Sequence, residues 1–260
     1  MPEKKKIMIL VVAYNAERTI ETLLDRIPGE IWSRVKEIVV SDDCSQDRTA
    51  RVVQRYKREK KRKNLTIVRH EKNKGYGGNQ KWGYNYAIDK NYDIVVMLHG
   101  DVQYFPEEIP RLLEPLEKGD VDMVFGSRIA GNPLKGGMPL YKFVANKFLT
   151  GVENFVLRKR LSEYHSGFRL YSLDFLKEIP FNLCSDYFHF DSEIIVQLCI
   201  ANARIVELPI PTHYGDEKNY VNNISYGLNI LKLIGQYVLH QRGIKSYDKY
   251  DLRNFGLGKI

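Results

Sequence analysis

At 260 residues, 43% hydrophobic and 28% charged, the chain can bury a sizeable core as one domain with or without an appendage, which excludes disordered and fibrous classes. The net charge of +8, from 40 Lys and Arg against 32 Asp and Glu, suits phosphate-rich ligands or an anionic membrane surface. Much of that excess sits in Lys57-Arg58-Glu59-Lys60-Lys61-Arg62-Lys63, which ends a predicted helix and reads first as a solvated face.

The first 126 residues alternate short apolar runs with amphipathic stretches. Strands are expected at 7–12, 37–40, 65–68, 94–98 and 123–125, with helices between them at about 17–27, 47–60, 78–89 and 107–117. Such alternation implies βαβ units and a mainly parallel sheet whose ligands bind at the carboxyl ends of the strands. Residues 131–139 are turn-rich, a mobile element or a surface excursion. A helix is expected over 141–157, a strand-like run at 166–171, a helix near 191–201 and a strand near 204–208. The last long element, 224 to about 240, places Leu228, Leu231, Ile234 and Val238 on one face of an amphipathic helix. Packing against the sheet is favoured for it over membrane contact. No signal peptide and no run of about 20 apolar residues is visible, and Cys44, Cys184 and Cys199 show no metal-ligand spacing. The expectation is a cytoplasmic protein, peripheral to the membrane if it meets one. No nucleic-acid recognition motif appears.

The strand ends carry the chemistry. After 37–40 come Ser41-Asp42-Asp43, whose paired acids can accept hydrogen bonds from a base N–H and ribose hydroxyls. Ser45 or Asp47 then caps the next helix. Asn73-Lys74-Gly75-Tyr76-Gly77-Gly78 packs three glycines at a helix mouth, where exposed N–H groups can take a phosphate, although many turns share this pattern. His99-Gly100-Asp101-Val102-Gln103 puts an imidazole, a carboxylate and an amide at alternate positions, a partial shell for Mg²⁺ or Mn²⁺ or, more blandly, a turn. Arg128, Lys142 and Arg169 are dispersed cations, and Arg169, flanked by apolar residues, is expected to reach a phosphate. Asp191 and Glu193 are equally readable as a catalytic base, a cation site or a helix cap.

In this order the segments resemble the inverting family 2 glycosyltransferases of the GT-A fold, and within them the polyprenol- or dolichol-phosphate mannose synthase group, over about residues 6–214. The family's Tyr-Asn-Glu segment appears as Tyr14-Asn15-Ala16-Glu17, with one extra residue before the acid. Its Val-Asp-Asp-Gly-Ser-x-Asp-x-Thr segment appears as Ser41 to Thr49, with Cys44 where the glycine would stand. Gly75–Gly77, Gly126-Ser127-Arg128 and Ser166-Gly167-Phe168-Arg169 match further family motifs. In the Asp-x-Asp metal motif, Asp101 matches the second aspartate and Gln103 a glutamine beyond it, while His99 stands where the first aspartate would be.

The resemblance implies an α/β GT-A (Rossmann-like) mixed, mainly parallel sheet flanked by helices, with a C-terminal amphipathic helix. Residues 1–215 would form the transferase domain, with 1–128 binding the nucleotide sugar and 129–215 the acceptor, and 216–260 a helical extension. Ala13, Tyr14, Asn15, Glu17, Asp42, Asp43, Gly75, Gly77, Asp101 and Arg169 would bind a UDP- or GDP-sugar. Asp101, His99 and Gln103 would hold Mg²⁺ or Mn²⁺. Arg128, Lys142 and Asn146 would hold the phosphate of a polyprenyl carrier, which needs no strong base because it is already an anionic nucleophile. If the acceptor is a saccharide or glycolipid hydroxyl, Asp191 or Glu193 becomes the base. A non-catalytic nucleotide-sugar-binding protein is the alternative of another class.

Overall fold

The computed structural model describes residues 4–212, 214 and 223–252. The elements run β1 (Ile7–Ala13), α1 (Ile20–Arg26), α2 (Gly29–Arg34), β2 (Glu37–Asp42), α3 (Thr49–Glu59), β3 (Leu65–Arg69), α4 (Tyr76–Asp89) and β4 (Ile94–His99). They continue with α5 (Ile109–Lys118), β5 (Met123–Ser127), α6 (Leu140–Leu157), β6 (Arg169–Ser172), α7 (Leu173–Leu176), α8 (Phe190–Ile200), β7 (Ile205–Pro209) and α9 (Asn223–Gln241). The expected strands and long helices are present. The expected helix at 17–27 is shorter and followed by α2, because Pro28 drives Ile27 into extended backbone and ends α1. Of the expected extension, 216–222 and 253–260 lie outside the described residues.

The sheet among the described residues has the order β3-β2-β1-β4-β6-β5-β7. All its pairings are parallel except those of β6, which runs antiparallel to both β4 and β5. Central β1 is buried from end to end, as a strand covered on both faces must be. Period-two alternation splits its side chains between two cores. Met8, Leu10 and Val12 pack toward α4, α6, α8 and α9, while Ile7, Ile9 and Val11 pack toward α1, α3 and α5.

One consequence places the site. Because β6 runs backwards, the segment entering it, Ser166-Gly167-Phe168, lies beside the carboxyl ends of β4 and β5. The expected 129–215 half therefore contributes directly to the rim built by the first half.

Candidate active site

At the β1–β2 rim, Asp42 is fully buried and its Oδ1 accepts the Ser45 N–H at 3.0 Å. Its Oδ2 has no hydrogen-bond partner and lies 3.7 Å from the Arg69 guanidinium. Asp43 is also buried, and its Oδ1 accepts the Lys74 N–H at 2.7 Å, clamping the 73–75 loop onto the end of β2. Burial pushes the Asp43 carboxyl above its ordinary value. Ala13 pairs with Asp42 and gives its carbonyl to the Asp43 N–H; Tyr14 is exposed beside it. Asn15, at φ +51°, binds Ser45 Oγ through its N–H and the Gln46 N–H through its Oδ1. A cleft of about 250 Å³, lined by Arg69, His70, Glu71, Lys72 and Lys74, opens at the end of β3. Its cations suit a phosphate-bearing ligand.

Several residues expected to touch a nucleotide are engaged by the protein instead. Glu17 accepts the Arg48 N–H and Nε at 3.0 and 2.8 Å, bonds that hold it below the usual carboxylate range and tie the β1 loop to α3. The glycines at 75 and 77 serve close packing rather than a phosphate. A Cβ on Gly75 would stand 2.5 Å from the Asp186 carbonyl oxygen, and the Gly77 N–H already donates to that oxygen at 2.8 Å. Arg169 is fully buried, with Nε on the Ser166 carbonyl at 2.7 Å and its terminal nitrogens on the carbonyls of Asp191 and Tyr164 at 2.7 and 2.8 Å. It fastens β6 to α8, so the expectation that it reaches a phosphate is corrected.

The end of β4 is differently made. His99 ends the strand and Asp101 follows with its side chain about half exposed, 47%, where a ligand can reach it. The Asp101 Oδ1 accepts the Gln103 N–H at 3.1 Å across Val102, which adopts φ +64°, a conformation uncommon for a β-branched residue and typical of functional sites. Asp101 Oδ2 and His99 Nδ1 lie 3.9 Å apart. Adjacent ligands each about 2.1 Å from one ion lie roughly 3 Å apart, so these two donors would have to close by about 1 Å to share a divalent cation. Among the described residues no cluster of three His, Cys, Asp or Glu side chains is placed to hold an ion alone.

His99 is boxed by Tyr76, Tyr104 and Gly167, whose part here motif spacing does not reveal. Its Nε2 lies 2.8 Å from the Tyr76 hydroxyl, which also donates to Asp191 Oδ2 at 2.8 Å. Tyr104 meets the ring edge-on at 5.1 Å, and a Cβ on Gly167 would stand 2.3 Å from Nε2. Burial pushes the imidazole below its ordinary value, outweighing the Asp101 and Asp191 carboxylates; burial and then Asp191 push the Tyr76 hydroxyl well up. An aromatic between two glycines at a helix mouth was the available signal for Tyr76.

At the third rim the hub is Glu163, fully buried and unforeseen. It pairs with the Arg128 guanidinium, accepts the Arg128 N–H at 2.9 Å and binds the Asn146 amide at 2.9 Å. Burial opposes its charge, and Arg128 outweighs burial to hold the carboxyl below its usual range. Arg128 and Asn146 are thus aimed at Glu163, correcting the expectation that both are held for an acceptor. Lys142 is half-buried with its ammonium 5.9 Å from the centre of the Tyr214 ring, and Arg128 donates to the hydroxyl of that same tyrosine at 3.1 Å. Of the two candidate bases, Asp191 is buried on Tyr76 and 3.6 Å from Arg169. Glu193 is buried on Lys249 at 2.6 Å and also accepts the Ser185 N–H.

The mixed, mainly parallel sheet with its acidic strand ends is a GT-A-like architecture. Residues 8–180 match glycosyl transferase family 2, and the chain belongs to that family. It is a glycosyltransferase. It is 35% identical to a low-salt glycan biosynthesis hexosyltransferase, Agl6, of Haloferax volcanii over 68% of this chain and 40% of that protein. It is 27% identical to the UDP-N-acetylglucosamine–dolichyl-phosphate N-acetylglucosaminyltransferase of Methanococcus voltae over 81% of this chain and 86% of that protein. Among solved structures, glucosyl-3-phosphoglycerate synthase from Mycobacterium tuberculosis with Mn²⁺, UDP and glucosyl-3-phosphoglycerate superposes with a TM-score of 0.61 at 18% identity, covering 93% of this chain and 81% of that one, a likeness of fold.

Proposed function

We propose that this protein transfers a hexosyl group, with inversion, from a nucleoside diphosphate sugar to a polyprenyl phosphate. The observation that carries the acceptor class is the state of the two carboxylates a hydroxyl acceptor would need. Asp191 is committed to Tyr76 and Glu193 to Lys249, whereas a phosphate acceptor is an anionic nucleophile that needs no base. The dolichyl-phosphate relative supports the same class.

In this reading Asp42 and Asp43 set the nucleoside end of the donor, and Arg69, Lys72 and Lys74 attract its phosphates. Asp101 and His99 would hold a divalent cation, which would neutralise charge on the leaving diphosphate. The mixed oxygen and nitrogen donors favour Mn²⁺ over Mg²⁺, which prefers all-oxygen surroundings. Lys142 takes the acceptor phosphate, steadied beside Arg128 through Tyr214. Positioning then supplies most of the rate.

The surface fits a lipid acceptor. Tyr141, Val144, Phe148 and Phe155 leave an exposed apolar stripe along α6, starting beside Lys142, and Ile224, Leu228 and Leu231 extend one along α9, which packs on α6. Exposed Lys147 and Lys232 lie on the same helices, and no helix among the described residues is long and apolar enough to cross a membrane. The protein in this reading rests peripherally on the cytoplasmic membrane face. The test supplies labelled UDP- and GDP-sugars with polyprenyl phosphate and Mn²⁺ and measures organic-extractable label. Turnover on a sugar hydroxyl with none on the lipid phosphate would sink the acceptor assignment.

A further inference from the structure

We infer that Tyr76 and Asp191 act as positioning residues that lock His99 in the tautomer protonated at Nε2, leaving Nδ1 as a bare donor turned toward the cation beside Asp101. The inference rests on the metal reading above and deepens it.

The logic is a count of protons. A tyrosine hydroxyl has one hydrogen to give and oxygen lone pairs to receive, and a carboxylate can only receive. Tyr76 Oη stands 2.8 Å from both Asp191 Oδ2 and His99 Nε2. Both contacts are hydrogen bonds only if Tyr76 donates to Asp191 and accepts from His99 Nε2–H. A neutral imidazole carries one N–H, so Nδ1 is then left with its lone pair. Nδ1 is the nitrogen that lies 3.9 Å from Asp101 Oδ2. Metal-ligating histidines regularly donate their other N–H to an anchoring group that sets tautomer and ring orientation. Here the anchor is a tyrosine backed by a carboxylate, reached across 115 residues of sequence.

The rest of the box holds the ring to this pose. Gly167 leaves the room into which Nε2 projects, and the Gly167 N–H is fixed on Tyr104 Oη at 2.7 Å. Tyr76 is itself stacked on Phe188 at 5.0 Å. Asp191 is oriented from behind, with Oδ1 at 3.4 Å from Gln80 Nε2 and 3.6 Å from Arg169. That backing makes Asp191→Asn informative. The amide oxygen would stay toward the Gln80 and Arg169 donors and the amide N–H₂ would face Tyr76. With no acceptor left at residue 191, the Tyr76 hydrogen has only His99 Nε2 to reach, which favours moving the His99 proton to Nδ1.

The experiment uses the full chain, metal-free, with ¹⁵N-labelled histidine, His99 being assigned by its loss in His99→Gln. The expected spectrum shows Nε2 protonated and Nδ1 bare in wild type, and the reverse in Asp191→Asn. Mn²⁺ alone is then titrated and free ion followed by electron paramagnetic resonance. Tyr76→Phe keeps the ring stack but removes the relay, and is expected to weaken Mn²⁺ binding about ten- to a hundred-fold. The reversed tautomer in wild type overturns the inference. So does undiminished Mn²⁺ affinity in a folded Tyr76→Phe. A wild type that binds no Mn²⁺ overturns the metal reading itself and this inference with it, an outcome distinct from failure of the relay alone.

Discussion

Asp43 at the β2 rim and Glu163 at the β5 rim are both buried carboxylates, yet their surroundings move them in opposite directions. Asp43 receives backbone N–H bonds but no close cation strong enough to offset its burial, and its carboxyl is raised. Glu163 meets a guanidinium and an amide, and is lowered. The contrast separates a group left poised beside a ligand cleft from one consumed in holding the fold together. Burial alone does not tell the two apart; the partner does.

Breaking the Glu163 side should have the largest effect. Glu163→Gln leaves the Arg128 charge without its counter-ion in a largely buried setting, and is expected to cost about 3–5 kcal/mol in chemical unfolding. A loss under about 1 kcal/mol, the worth of a surface pair, would show that the hub is solvated. Next comes the exposed acid between the rims. Asp101→Ala should lower kcat/KM by about 10²–10³ with little change in melting, and retained turnover would remove its role in catalysis. Gly167→Ala forces a methyl group to 2.3 Å from His99 Nε2 and should cost about 1–3 kcal/mol in stability, with a parallel loss of Mn²⁺ affinity.

The smallest effect sharpens the comparison through pH. The contribution of Glu163, lowered in the folded state, is complete above the ordinary carboxylate value of about 4 and is lost as pH falls through its folded value. That of Asp43, raised in the folded state, is complete below its ordinary value and is lost as pH rises through its folded value. Asp43→Asn, which keeps the acceptor for the Lys74 N–H, should therefore change stability by under about 1 kcal/mol at neutral pH, in the stabilising direction, while raising KM for the nucleotide sugar. A destabilised Asp43→Asn would place Asp43 in the same class as Glu163.

The strands were legible because buried parallel strands are short continuous apolar runs, and their loaded carboxyl ends pointed to the rim that Asp42, Asp43 and Asp101 occupy. The breaks in legibility have a common physical source. Spacing says where a side chain sits on its own element, not which distant group reaches it. Glu193 finds Lys249 across 56 residues, and Arg169 finds carbonyls on two other segments. Gly75 looked like an open phosphate nest but is filled by the Asp186 carbonyl. Arg128 is expected to hold an acceptor phosphate, and the acid that claims it lies 35 residues on.

The backward strand β6 has a consequence for how the molecule is made. As the chain leaves the ribosome, β4 and β5 are complete well before residue 169, yet neither pairs with the other in the finished sheet. Each must wait with an open edge until β6 arrives to stitch them together. A fragment ending at residue 128 would lack β6 and β7 alike, leaving one edge of β4 and both edges of β5 bare, and open edges are templates for aggregation.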